Sequence, residues 1–122
     1  MAELGDVVSR LFYYQLHLKV YHWQTRSAPR HKAAEDLLDK VQSFTDDLVE
    51  LCQGRNDMRI RFEKHKIVLR NLVEEDEDYG YALLRELWKM VDEFECEDDA
   101  VENKRQELLG EVERAMYLFT LL

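Results

Sequence analysis

Proline occurs once and glycine four times in 122 residues, so the chain has little of the material that makes turns and irregular loops. β-Branched residues are sparse beside Leu, Glu, Lys and Arg, which disfavours a sheet and favours helices. The two cysteines, Cys52 and Cys96, fit no Cys-x-x-Cys spacing, which excludes a cysteine-ligated zinc motif and a disulfide scaffold. They read as small, reduced, apolar residues, and a bridge between them has no support in the sequence.

No apolar run reaches the roughly 20 residues that span a bilayer. The start, Met-Ala-Glu-Leu-Gly-Asp, has neither the charged n-region nor the apolar h-region of a secretory signal. The expectation is a cytoplasmic protein with no membrane partner. Positive charge is short as well: 17 Lys and Arg stand against 26 Asp and Glu, for a formal net charge of −9. An acidic chain gains nothing from the counterion release that drives binding to phosphates, which argues against a nucleic-acid partner. There is no lysine-rich tail, and the basic cluster Arg55–Lys66 is diluted by Asp57 and Glu63. No Gly-rich phosphate loop and no Ser/His/Asp arrangement is present.

What remains is helical pattern. A chain of this length makes one domain, residues 1–122, with a single core. The first helix is expected over about 3–25, where Leu4, Val8, Leu11, Gln15, Leu18 and His22 share a stripe and Val7, Tyr14 and Tyr21 flank it. Ser27 as N-cap and Pro29 in the first turn open a second helix over about 28–53, stopped by Gly54. Its apolar face is Ala34, Leu37, Leu38, Val41, Phe44, Leu48, Leu51 and Cys52. A third helix over about 79–95 turns Leu83, Leu84, Leu87, Trp88, Val91 and Phe94 inward. A fourth over about 98–121, capped by Asp98 or Asp99, does the same with Val101, Leu108, Leu109, Val112, Met116 and Phe119.

The connection 54–78 is the least legible part. Ile60 and Phe62 alternate with charged residues as in a strand, His65–Val73 has the apolar content of a short helix, and the acidic run 74–78 suits a helix N-terminus. A connection this long either crosses the bundle or carries function. The class is therefore all-α, with two helical pairs joined by a long crossover in a four-helix bundle of ferritin-like connectivity. The apolar end Tyr117–Leu122 is expected to pack in the core or in a subunit contact.

Polar residues at special positions point to chemistry. His22 sits on a mostly apolar stripe, followed by Trp23, and His31, Glu35, Asp46 and Glu50 fall within about a quarter turn of the second helix at 100° per residue. His31 and Glu35 are one turn apart, as are Asp46 and Glu50. Imidazole nitrogen with carboxylate oxygen suits iron, with manganese or zinc as alternatives. Taken singly, His22 reads sooner as a hydrogen-bonded core histidine than as a ligand, His31 as an exposed histidine near a helix start, and Asp46 with Glu50 as a solvated face. Their shared register is what makes a metal site. The two pairs are about 16–22 Å apart along a straight helix, too far for one ion. A two-fold dimer is needed to bring the His pair of one chain against the carboxylate pair of another.

The series His22-Trp23, His31-x-x-x-Glu35, Asp46-x-x-x-Glu50 resembles the Dps family of mini-ferritins over roughly residues 10–54. The resemblance implies a ferroxidase centre between two-fold-related subunits. His22, His31 and Glu35 would come from one chain and Asp46 and Glu50 from its partner, with assembly as a dimer or a cage and iron oxidised and stored. Two departures stand out: the interval from His22 to His31 is shorter than usual, and Glu35 stands where Asp is common. A di-iron centre inside one subunit needs Glu-x-x-His on two helices, and no histidine follows His65. The competing expectation is a ferritin-like scaffold or binding protein without oxidase activity, or one whose dimer is clamped by a structural metal. Tyr13, Tyr14 and Tyr21 read as packing residues near the site, His65 as a surface histidine among cations, and Trp23 and Trp88 as core or interface aromatics.

Overall fold

The computed structural model describes residues 2–121; Met1 and Leu122, the last residue of the apolar end, lie outside the described residues. Four helices are present among the described residues: α1 (Ala2–Gln24), α2 (Ala28–Asn56), α3 (Gly80–Glu93) and α4 (Asp99–Leu118). They pack as a closed ring. α1 lies against α2 and α3, and α4 completes the ring against the other side of the same two helices. The core is built from the stripes that the periodicity marks: Leu4, Val8, Leu11 and Leu18 of α1 meet Ala34, Leu37, Leu38, Val41, Phe44 and Leu48 of α2. Leu83, Leu84, Leu87 and Val91 of α3 meet Val101, Leu108, Leu109 and Val112 of α4. No helix among the described residues is long and apolar enough to cross a membrane.

The helix starts follow local chemistry. Ser27 has extended backbone (φ −90°, ψ 117°), and its Oγ accepts from the Arg30 N–H at 3.3 Å, while Pro29 fills a first-turn position that needs no N–H. Asp98 caps α4, accepting from the N–H groups of Ala100 and Val101 at 2.8 and 3.1 Å. The end of α2 departs from expectation. The helix runs through Gly54 to Asn56, and Asp57 takes the left-handed conformation that closes it (φ 49°, ψ 43°). Gly54 is an exposed interior position; an acidic residue with a short polar side chain serves as the stop.

The connection 57–79 also differs from expectation, because neither a strand over 60–63 nor a helix over 65–73 forms. The apolar residues there are consecutive (Ile67, Val68, Leu69), so a helix would bury only part of them on any one face. The chain instead runs extended along α1, in the same direction as the helix, as a strap. Arg61 crosses at Gly5, where an added Cβ would lie 2.0 Å from the Arg61 carbonyl oxygen. Phe62 stacks on Phe12 with ring centroids 6.3 Å apart, His65 Nε2 meets Asp6 Oδ1 at 2.7 Å, and the Arg70 N–H donates to His17 Nε2 at 3.1 Å. Gln24 Oε1 then accepts from the N–H groups of Leu72 and Val73 at 2.8 and 3.2 Å. Side chains of α1 thus supply the backbone partners that a helix or sheet would have provided.

The acidic run, expected at a helix N-terminus, folds as a small hairpin: β1 (Val73–Glu74) pairs antiparallel with β2 (Glu77–Asp78), with Glu75 at φ 53° in the turn. Its last residue does serve α3, since Asp78 Oδ1 accepts from the Gly80 N–H at 2.8 Å. Glycine is required there because a Cβ would come within 2.4 Å of the Tyr21 ring. Arg30 ties this end of the bundle together. Its Nη1 reaches Asp78 Oδ2 at 3.0 Å and the Tyr21 hydroxyl at 3.2 Å, and its Nε and Nη2 donate to the Phe119 carbonyl at 2.8 and 2.5 Å. Phe119 is buried and stacks on Tyr21 at 5.2 Å, so the apolar end packs inward there, while Tyr117 and Leu121 are exposed.

Candidate metal centre

The short turn Thr25-Arg26-Ser27 sets the last turn of α1 against the first turn of α2, and this brings His22 and His31 into direct contact. Their rings stack with centroids 3.7 Å apart and planes within 19°. His22 Nδ1 lies 3.0 Å from the carbonyl oxygen of His31, and His31 Nδ1 lies 2.6 Å from the carbonyl oxygen of His22. A nitrogen facing a carbonyl must carry the proton, so both rings are pinned with Nδ1–H inward and Nε2 without a partner among the described residues. A carbonyl on the other ring nitrogen is the usual companion of a metal-binding imidazole. His22 is buried and His31 exposed.

Glu35 stands one turn beyond His31 on α2, half-buried, with no hydrogen bond or ion pair among the described residues. Asp46 and Glu50 lie on the same side of α2, exposed and likewise unpaired, whereas neighbouring Asp47 is held by Lys104 at 3.1 Å. Among the described residues, no group of three or more His, Cys, Asp or Glu side chains is gathered closely enough to hold an ion. One chain therefore unites His22 with His31 and sets Glu35 nearby, and it leaves Asp46 and Glu50 at a distance along the helix.

Phe12, Leu16 and Trp23 share one side of α1 and are exposed, Trp23 by 69%. On that side Phe12 meets the strap's Phe62, and Gln15, about a quarter turn away toward α2, donates from Nε2 to Thr45 Oγ1 at 2.9 Å. Trp23 is thus a surface aromatic with Lys19 Nζ 5.8 Å from its ring centroid, while Trp88 is half-buried and donates to Glu113 at 3.1 Å. His65 has an acidic partner, Asp6, which its cationic sequence neighbours did not suggest.

Sequence reasoning missed His17 and Arg30. His17 is fully buried, with Nδ1 donating to the Tyr13 carbonyl at 2.8 Å and Nε2 accepting from the Arg70 N–H. It lies off the core stripe, against the Tyr13 ring and under the strap, so no local pattern could have marked it. A concavity of about 1080 Å³ opens between the α1–α2 turn, the hairpin and the C-terminal end, but its central charges, Arg30 and Asp78, are spent on each other. No protein-family model, curated protein or solved structure matches the chain.

Proposed function

We propose that the chain is a Dps-like mini-ferritin of ferritin-like fold that takes Fe(II) as substrate and oxidises it between two two-fold-related copies. His22, His31 and Glu35 of one copy would face Asp46 and Glu50 of the partner subunit. The observation that carries the reading is the His22–His31 pair, each Nδ1–H spent on a carbonyl and each Nε2 free. Neutral imidazoles bind Fe(II) and limit how many oxygen ligands it takes, and the carboxylates favour the ferric product by neutralising its added charge. Each Fe(II) gives up one electron; a peroxide takes two and leaves as water, and dioxygen is the alternative acceptor. The exposed Leu16 and Trp23 support the dimer, because they are large apolar side chains of α1 that a second copy would cover.

Complementation tests the shared site. His31→Ala and Asp46→Asn with Glu50→Gln should each abolish rapid Fe(II) oxidation when pure. After mixing and exchange of subunits, about a quarter of the wild-type sites should return, because each mixed dimer rebuilds one site of two. Unchanged kinetics in His31→Ala would sink the assignment, and absence of recovery on mixing would place the reaction elsewhere. The stacking itself favours a second reading, in which the two rings satisfy each other as a structural clip and the protein is a ferritin-like scaffold without oxidase activity. In that case neither Fe(II), Zn(II) nor Mn(II) raises the melting temperature.

A further inference from the structure

Cys52 lies near the C-terminal end of α2, and Cys96 lies in the non-helical connection 94–98 between α3 and α4. The chain is tied to the end of α2 on both sides of Cys96. Before it, Phe94 and Glu95 line the same cleft of about 450 Å³ as Cys52, with Leu4, Leu48 and Met90. After it, Asp98 Oδ2 lies 2.5 Å from Nε of Arg55, which stands one turn beyond Cys52 and on the same side of the helix. Bracketed in this way, Cys96 sits against the turn that carries Cys52. Both thiols are free, partly buried and packed on the core. Burial pushes the Cys52 thiol up, and the neighbouring Cys96 pushes it further.

We propose that Cys52 and Cys96 form a redox pair that hydrogen peroxide closes to an intramolecular disulfide. One thiolate attacks a peroxide oxygen and breaks the O–O bond, giving a sulfenic acid and, with the thiol's proton, one water. The second sulfur displaces the hydroxyl of the sulfenic acid, which leaves with the remaining proton as another water. Two thiols are oxidised and one peroxide is reduced. A disulfide needs its Cα atoms about 4.4–6.8 Å apart. The connection can meet that geometry because its backbone bonds to the helices lie at its two ends, with none at residues 95–97 among the described residues. They run from the Phe94 N–H to the Val91 carbonyl at 3.3 Å and from the Glu102 N–H to the Asp98 carbonyl at 2.8 Å. Only the thiolate reacts, so a raised Cys52 thiol makes closure slow near neutrality and faster in alkali. Once closed, the bond encloses the strap and α3 in one covalent loop and pins the α3–α4 connection to α2. This proposal is independent of the iron reaction.

The full chain treated with hydrogen peroxide, alkylated with N-ethylmaleimide and weighed should be a monomer lighter by two hydrogens and free of maleimide. A tryptic digest should join the Cys52 and Cys96 peptides. Dithiothreitol should restore two alkylatable thiols, and the oxidised form should melt about 5–10 °C higher than the reduced one. Cys96→Ser, placed in the connection so that α2 is unaltered, should abolish both the mass loss and the shift in melting; Cys52→Ser should do the same. Two maleimides per chain after peroxide has consumed a free-thiol standard in the same tube would overturn the proposal. So would disulfides found only between chains.

Discussion

His17 and His22 stand five residues apart on α1, and the helix turns them about 140° from one another. Both are buried, yet their ring nitrogens are used differently. On the strap side, His17 spends Nδ1 on the Tyr13 carbonyl and Nε2 on the Arg70 N–H, so nothing is left for a ligand. On the α2 side, His22 spends Nδ1 on the His31 carbonyl and keeps Nε2. Burial alone therefore does not separate a structural histidine from a candidate ligand; the count of satisfied nitrogens does. The same contrast runs along the whole helix. Its strap side is held by directed hydrogen bonds to an extended chain, while Leu16 and Trp23 remain exposed.

The comparison can be broken most forcefully at His17. His17→Ala removes both bonds and leaves a void, and should cost about 2–4 kcal/mol in urea unfolding. The freed strap, rich in Arg and Lys, should then be cut faster by trypsin. His31→Ala, at an exposed residue, should cost no more than about 1 kcal/mol while removing the proposed iron reaction. Equal losses of stability in the two variants would erase the distinction. Next in size is Gly5→Ala, whose new methyl collides with the Arg61 carbonyl, so the start of the strap must lift at about 1–3 kcal/mol. Its readout is the same tryptic cleavage, with iron kinetics unchanged.

The smallest effect is a pH dependence on the strap side. Burial, helped by Glu86, pushes Tyr14 up to about 12. An unfolded tyrosine ionises near 10. Between about 10 and 12 the unfolded chain therefore sheds a proton that the folded chain keeps, and stability falls as pH rises through that window. Tyr14→Phe should flatten this part of the stability profile, measured by denaturant melts at successive pH values.

Much of the bundle was legible because helix formation leaves a local record. The stripes of α1 to α4, the Ser27 cap with Pro29 and the Asp98 cap each depend on residues within a turn or two. The end of α2 was misread because Gly54 offered a familiar stop, while Asp57 took the left-handed position. The strap was illegible for a different reason. Its partners are side chains of α1, with Arg70 bonding 53 residues back to His17, and such pairings leave no period in either segment. The site was legible in part. The spacing named His22, His31, Glu35, Asp46 and Glu50 and indicated that one chain cannot gather them, but not that the short turn stacks the two rings.

By itself, the sequence determined an all-helical chain with four amphipathic stripes, an acidic surface and a register of histidines and carboxylates on adjoining helices. Periodicity and capping are enough for this, because burial against a neighbouring helix repeats every three to four residues. Tertiary structure alone decided which histidine is saturated and which keeps a free nitrogen, and how the strap is held. It also decided that Cys52 and Cys96, far apart in the chain, lie at the same end of the bundle. Those outcomes depend on groups brought together from distant segments, and hydrogen bonds and thiols respond to where their partners are in space.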